Sequence, residues 1–169
     1  RAVVDAVGKA LGLPYHTLVR ENLLSIDMGA IHPELGATQP RDVVPNDPLS
    51  EMWIRHTVGL SDPIVDGDIA ADERLNDTLP QSLEEYVARQ GLRYFKIKVC
   101  GDIDIDVPRL RSIARVLDAS IEGRYHISLD GNEQYREIDS FLALVDELQS
   151  APEFSRFFSS IRYIEQPMA

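Results

Sequence analysis

The sequence predicts an α/β fold with a parallel sheet, specifically the first half (about four βα units) of a TIM-type (β/α) barrel. Two observations carry this prediction. Apolar segments with period 2 alternate with segments of helical period, and their connections are long enough for the crossover helices that parallel strands require. Lys98, Asp130 and Glu165, each near the end of a predicted strand, are 32 and 35 residues apart. An eight-unit barrel of about 250 residues has roughly 31 residues per unit.

The elements follow in order along the chain. Apolar residues at helical spacing predict an opening helix that ends at Gly12. Four prolines between residues 25 and 51 leave no regular period there. After this segment we predict strands at residues 55–60, 94–100, 125–129 and 161–165. Helices are predicted from about residue 80 with Thr78 and Gln81 as a capping box, from Pro108 to Leu117 with Asp106 as the N-cap, and from Ile138 to Leu148.

This change of pattern predicts three regions. Residues 1–24 form the end of one domain, residues 25–51 an irregular connection or insertion, and residues 52–169 the βα units. A plain surface loop explains residues 25–51 equally well on composition. A doubly wound sheet is the alternative fold for the last region, and the absence of a glycine-rich phosphate loop disfavours it.

Composition and charge exclude several classes of function. The chain has 17 Lys and Arg against 28 Asp and Glu, and this net charge of −11 argues against a broad basic surface for nucleic acid or anionic membrane. No apolar run approaches the roughly 18 residues of a membrane helix. Cys100 is the only cysteine, so an internal disulfide is excluded and we expect a reducing, cytoplasmic compartment. We also expect a homo-oligomer.

Two lysines mark the second predicted strand. In FKIKV, Lys96 and Lys98 alternate with apolar residues, so both lysines share one face of the strand. In a barrel the helices cover the outer, apolar face, and the lysines then point into the interior. An exposed edge strand guarded by lysine explains the same pattern.

The next two strands also end in polar residues. Asp130 and Asn132 share a face at the end of the third strand, although Asp-Gly and Asn are also common turn residues. Glu165 ends the fourth strand, because Pro167 cannot continue the hydrogen-bond ladder. A carboxylate that is simply solvated at the strand end explains the presence of Glu165 equally well. Together, polar groups at the ends of three successive strands match the face on which barrel active sites lie.

These residue types suit a particular chemistry. Two carboxylates such as Asp130 and Glu165 suit a hard divalent cation, Mg²⁺ or alternatively Mn²⁺. Neighbouring lysines disfavour each other's protonated form, which lowers the pKa of a lysine. A neutral lysine beside a Lewis acid is a base that can remove a proton next to a carboxylate.

The segments FKIKV, LDGN and IEQP, in this order and spacing, resemble the enolase superfamily, in its mandelate racemase and muconate lactonizing enzyme branch. The opening RAVVDAVGKALGLPYHTLVR looks like the last helix of that family's α+β capping domain, and RHTVGL like its first barrel strand. Residues 25–51 look like an insertion. Glu-Gln-Pro looks closer to the muconate lactonizing type.

The resemblance implies a role for each motif residue. Lys98 would be the general acid/base, and Lys96 would contact the substrate carboxylate and help keep Lys98 neutral. Asp130 and Glu165 would be metal ligands, and Asn132 would support the metal or the substrate. The implied activity is Mg²⁺-dependent removal of the proton α to a small carboxylate substrate with enediolate stabilisation, which leads to racemisation or epimerisation, cycloisomerisation or dehydration.

The family's third metal carboxylate and its second acid/base belong to later strands. We therefore expect residues 1–169 to hold half of a metal site and half of an acid/base pair, and the sequence to be part of a longer protein. The alternative is a catalytically incomplete fragment or scaffold. Such a piece alone would expose two unpaired sheet edges, so we expect it to be inactive and poorly soluble.

Overall fold

The computed structural model describes residues 1–169, which divide into two compact units, Arg1–Met52 and Trp53–Ala169. The first unit is helical, with α1 (Ala2–Leu11), α2 (Tyr15–Arg20), α3 (Pro40–Val43) and a short 3₁₀ turn at Pro33–Leu35. Helix α1 ends as predicted, because Gly12 adopts the left-handed conformation with φ 65°. No helix of the chain combines the length and the apolar character needed to cross a membrane.

The second unit is a mixed α/β structure built on a four-stranded parallel sheet. Its strands lie side by side in chain order, and every neighbouring pair is parallel. The predicted α/β class is therefore confirmed. The elements are β1 (Arg55–Val58), α4 (Leu83–Gln90), β2 (Tyr94–Lys98), α5 (Ile103–Ser120), β3 (His126–Asp130), α6 (Ile138–Ser150), α7 (Ser155–Ser160) and β4 (Ile161–Glu165).

One face of this sheet carries the hydrophobic core. Phe95, Ile97 and Ile127 from the strands are at most 1% exposed, and they form a single cluster with apolar residues of all four helices, α4 to α7. The opposite face carries the two lysines of β2, each partly exposed. Consecutive strand order with helices packed on one face is the arrangement of successive βα units, and it differs from a doubly wound sheet, which is covered on both faces.

Helix α4 begins about three residues after the predicted start. Ser82, rather than Thr78, is its N-cap: the Ser82 hydroxyl accepts the main-chain N–H of Glu85 at 3.3 Å, and the Glu85 carboxylate accepts the N–H of Ser82 at 3.4 Å. The sequence contains two successive capping patterns, at residues 78–81 and 82–85, and only the N-cap of the second is followed directly by a buried apolar residue, Leu83.

Helix α5 begins five residues before the predicted start at Pro108. Asp102 is the N-cap, and its carboxylate accepts the N–H of Asp104 at 3.0 Å. Pro108 lies inside the helix, near its start, where it removes a single main-chain hydrogen bond. Asp106 is therefore not a cap, contrary to the prediction, and its buried carboxylate has other partners.

Candidate functional site

The carboxyl ends of three strands bring three of the predicted site residues into one row. Lys98, Asp130 and Glu165 are the last residues of β2, β3 and β4. Lys98 pairs with Asp130, and Asp130 pairs with Glu165, in the parallel register. Because adjacent strands are about 4.8 Å apart, side chains in one row on one face are immediate neighbours.

Lys96 lies one row below and reaches up to both carboxylates. Its Nζ is 2.8 Å from Asp130 Oδ2 and 3.0 Å from Glu165 Oε2, and 17% of its side chain is exposed. These contacts with Asp130 and Glu165 raise the pKa of Lys96, and they outweigh its partial burial, which acts in the opposite direction. The expected mutual lowering of the lysine pKa values is thus wrong for Lys96, because two carboxylates act on it more strongly than one neighbouring lysine.

Asp130 is a buried carboxylate that stays ionised. Burial alone would raise the pKa of Asp130, but the contact with Lys96 and a hydrogen bond from the N–H of Asn132 (3.0 Å to Oδ1) outweigh burial and lower it. Its Oδ2 is inaccessible to solvent and has no hydrogen bond of acceptable angle, although Lys96 Nζ is only 2.8 Å away. An inaccessible anionic oxygen without a hydrogen bond is an oxygen that a cation can satisfy.

This arrangement fits a divalent cation in part. Oxygens of Asp130 and Glu165 already converge on one positive charge, the Lys96 ammonium. Mg²⁺ and Mn²⁺ prefer such hard oxygen ligands, and Mg²⁺ is commonly held by one or two carboxylates together with waters and substrate. Residues 1–169 contain no group of three or more His, Cys, Asp or Glu side chains placed to hold a metal ion. Asp130 and Glu165 are thus the two carboxylates that could contribute to such a site.

Asn132 takes part through its main chain. Its N–H donates to Asp130, its carbonyl accepts from Gln134 Nε2 at 3.0 Å, and the residue itself is exposed with φ 46°. Asn tolerates this left-handed conformation better than most residues. Asn132 therefore lies beyond β3, in the turn that was the alternative interpretation, and does not share a strand face with Asp130. Its main-chain N–H makes the contact with Asp130.

Three further polar residues on the same face were not predicted as site residues. Arg55 of β1 donates to the Ser128 hydroxyl at 3.2 Å and to the Tyr163 hydroxyl, and its Nη1 is 4.0 Å from Glu165 Oε2. Ser128 and Tyr163 each precede a site carboxylate by two residues in the same strand. The period-2 pattern, extended backward along each strand, could have found both.

Two further titratable residues near the site strands, His126 and Cys100, lie in structural environments. His126 accepts a hydrogen bond from Arg162 Nε at 2.9 Å and its ring lies 4.8 Å from that of Tyr94. Burial, and then the charge of Arg162, lowers the pKa of His126. Burial also raises the pKa of the Cys100 thiol, which favours the neutral thiol over the nucleophilic thiolate.

The geometry is therefore a row of one lysine and two carboxylates at the carboxyl ends of parallel strands, with a second lysine bridging the carboxylates. No family model, curated protein or solved structure matches the chain.

Proposed function

We propose that residues 52–169 are the first half of a TIM-type barrel in a Mg²⁺-dependent enzyme that removes the proton α to a carboxylate. The proposed relatives are the enolase superfamily enzymes of the mandelate racemase and muconate lactonizing branch, and residues 1–24 would end the capping domain. The observation that carries the proposal is the row formed by Lys98, Asp130 and Glu165 across three adjacent strands.

The sheet supports a barrel over a doubly wound fold. Strand order follows chain order without reversal, and the core lies on one face only. In a barrel the other face would be the interior, and its polar side chains would converge toward the barrel axis. Strands β1 and β4 each have one neighbour in the sheet, so both edges are open to the pairing that closure requires.

In the proposed reaction Lys98 is the base. Its amine would take the α-proton of a small carboxylate substrate lying over the carboxyl ends of the strands, and would return a proton in the reverse direction. Lys96 supplies a fixed positive charge beside the carboxylates, and this charge would also attract the substrate carboxylate. Lys96 Nζ is held between Asp130 and Glu165, so we assign the proton transfer to Lys98, which lies in the row and forms no salt bridge.

Asp130 and Glu165 would hold the metal ion. Bound Mg²⁺ would neutralise the negative charge that develops on the substrate carboxylate as the proton leaves. The buried carboxylate of Asp130 is fixed by the Asn132 N–H, so it is oriented before any ligand arrives. Racemisation or epimerisation, cycloisomerisation and dehydration all begin with this same proton transfer.

A second candidate function is a non-catalytic domain that shares the fold. The observation that favours it is the presence of only two carboxylates at the row, without a third Asp, Glu, His or Cys placed to complete a metal site. Under this hypothesis Lys96 is a permanent structural counter-ion of Asp130 and Glu165. Such a protein would exchange no substrate proton and would hold no divalent metal at the row.

Exchange of the α-proton with solvent tests the proposal. The full-length protein with Mg²⁺ is incubated in D₂O with a panel of 2-hydroxy acids, and loss of the Cα–H signal is followed by ¹H NMR. We expect Lys98→Ala to slow exchange at least about 100-fold, the smallest usual contribution of a general base. Lys9→Ala, which removes an exposed lysine paired with Asp5, is the matched control and should leave the rate unchanged. Undiminished exchange in Lys98→Ala contradicts the assignment of the base.

A further inference from the structure

Asp106 is a buried carboxylate that the proposed reaction does not use. It is 1% exposed and lies in the first turn of α5. Its oxygens accept the main-chain N–H of Cys100 at 2.9 and 3.1 Å and the N–H of Gly101 at 3.0 Å. Cys100 and Gly101 follow Lys98 by two and three residues, so this carboxylate holds the segment in which the strand of Lys98 ends.

The same carboxylate is bonded to the loop that follows Asp130. The hydroxyl of Tyr135, a residue 1% exposed, donates to Asp106 Oδ2 at 3.0 Å. Tyr135 is in turn bonded to the segment after Glu165, since its N–H donates to the carbonyl of Pro167 at 3.1 Å and its carbonyl accepts from Ala169 at 3.0 Å. The pair of Asp106 and Tyr135 therefore connects the segments that follow β2, β3 and β4.

The three segments also touch directly through their main chains. A Cβ on Gly101, which has φ 84°, would lie 2.8 Å from the carbonyl oxygen of Gln134. A Cβ on Gly131 would lie 2.6 Å from Cα of Pro167. Glycine at both positions lets the segments approach closely, so a displacement of one segment is transmitted to the next.

We propose that Asp106 and Tyr135 are positioning residues for the row: through their hydrogen bonds they set the relative placement of Lys98, Asp130 and Glu165. This inference rests on the proposed function, because it concerns the site through which that function would act. Productive geometry at such sites tolerates displacements of only about 0.5 Å. A buried carboxylate that accepts hydrogen bonds from main-chain N–H groups and from a phenol is suited to keep the segments within such limits.

The chain offers a matched pair of variants. Tyr135→Phe removes one hydrogen bond between a buried tyrosine and an aspartate near the carboxyl ends of the strands. Tyr125→Phe removes a bond of the same type, from the Tyr125 hydroxyl to Oδ1 of the partly buried Asp118 at 2.7 Å, at the other end of β3. Tyr125 is also 1% exposed, so both variants should lower the melting temperature by similar amounts. If Tyr135 contributed only to general stability, Tyr135→Phe and Tyr125→Phe would behave alike.

Two measurements on the full-length protein separate positioning from stability. Mn²⁺ binding is measured by electron paramagnetic resonance, and lysine side chains are followed by NMR after selective ¹³C labelling. Residues 1–169 contain three lysines, Lys9, Lys96 and Lys98, and their assigned signals give one reporter away from the row and two at it. We expect Tyr135→Phe to weaken Mn²⁺ binding about 10-fold and to shift the Lys96 and Lys98 signals but not that of Lys9. Tyr125→Phe should change neither measurement.

The outcomes distinguish this inference from the proposed function. If the wild-type protein binds no Mn²⁺, the proposed function fails, and the lysine signals alone decide whether Asp106 and Tyr135 position the row. Unchanged Lys96 and Lys98 signals in Tyr135→Phe, with a melting temperature lowered as in Tyr125→Phe, overturn the inference. Asp106→Asn is a stronger second variant, because its amide would direct N–H groups toward the N–H donors of Cys100 or Gly101. If that variant does not fold, Tyr135→Phe still gives the answer.

Discussion

At the level of single residues, the charge of Lys96 depends on where β3 and β4 end. Asp130 and Glu165 approach the same ammonium because the parallel register places them side by side. The two contacts raise the pKa of Lys96, and the pKa of Asp130 is lowered in spite of its burial. Each shift favours the charged form, so both charges persist across the neutral range.

These shifts predict how Lys96→Met changes the pH dependence of stability. A raised pKa means that the stabilisation by Lys96 is complete below its ordinary pKa of 10.5 and is lost as the pH rises through the folded value. The lowered pKa of Asp130 means that its stabilisation is present above its ordinary 3.8 and is lost as the pH falls through the folded value. We expect Lys96→Met to cost about 3 kcal/mol near pH 7, because Asp130 keeps a buried charge without its partner.

Urea unfolding between pH 3 and 11 measures this cost. The difference between wild type and Lys96→Met should be constant near neutral pH and should shrink at both extremes. Lys9→Met, at an exposed i,i+4 pair with Asp5, is the control and should cost about 0.5 kcal/mol or less. A cost for Lys96→Met that does not change with pH would show that packing, and not charge, determines the role of this residue.

The sequence is sufficient to predict which residues share a face, but it does not predict contacts across strands. Alternation with period 2 placed Lys96 and Lys98 on the same face of β2, opposite Ile97. The contact of Arg55 with Ser128 joins β1 to β3, and it depends on register and rotamer rather than on local pattern. The register between β3 and β4 shifts after Ile127, because Ile127 pairs with Ile161 but Ser128 pairs with Tyr163 and Arg162 is left unpaired. No pattern in the sequence predicts this shift.

At the level of elements, the segments after β3 and β4 run side by side beyond the sheet. The N–H of Gly131 donates to the carbonyl of Glu165 at 3.0 Å, and the N–H of Glu133 donates to that of Gln166 at 2.7 Å. Because a Cβ on Gly131 would meet main-chain atoms of Pro167 and Gln166, the residue at this position must be glycine for these bonds to form.

Gly131→Ala is therefore expected to destabilise the protein by about 2 kcal/mol, as overpacking against atoms that cannot rotate away typically does. Gly67→Ala is the matched control. A Cβ there meets no atom within 4 Å and φ is not positive, so the change should be neutral or slightly stabilising. Thermal unfolding of the two variants measures the difference. Equal melting temperatures for Gly131→Ala and Gly67→Ala would mean that the segments after β3 and β4 can separate at little cost in free energy.

Helix boundaries show a second limit of sequence reasoning. Both Thr78 and Ser82 stand at the start of a capping pattern, and the two patterns are four residues apart. Only Ser82 is followed by a buried core residue, Leu83, whereas Leu79 after Thr78 is exposed. The start of α5 was missed for a related reason: Pro108 is typical of a first helical turn, yet here it is tolerated further inside the helix.

Removing the hydroxyl of Ser82 and, separately, that of Thr78 identifies which of the two residues caps α4. We expect Ser82→Ala to lower the free energy of unfolding by about 1 kcal/mol, because the N–H of Glu85 loses its acceptor in a buried position. Thr78→Ala should change it by less than about 0.5 kcal/mol. Chemical denaturation gives both values, and a larger loss for Thr78→Ala would support the boundary predicted from the sequence.

At the level of the whole molecule, buried apolar side chains are concentrated in the second unit. Leu18 is the only apolar residue of the buried core that belongs to residues 1–52, whereas the others form one cluster within residues 53–169. The chain between the units is exposed: Leu49, Met52, Trp53 and Ile54 are 83, 78, 76 and 68% accessible. Its main chain at residues 47–53 makes none of the turn and loop hydrogen bonds found elsewhere.

Limited digestion with chymotrypsin should therefore cut first between Leu49 and Ile54, because cleavage requires main chain that can leave its surroundings at little cost. Leu75 provides the internal control. It is similarly exposed, at 70%, but its N–H donates to Gln81 Oε1 at 2.9 Å. The preceding residue, Arg74, also forms salt bridges with Asp66 and Glu85, which hold this segment in place. Mass spectrometry of the first products should give a stable fragment that begins near Ile54. Earlier cleavage at Leu75 would contradict this division of the chain, since it would place the weakest main chain inside the α/β unit rather than before it.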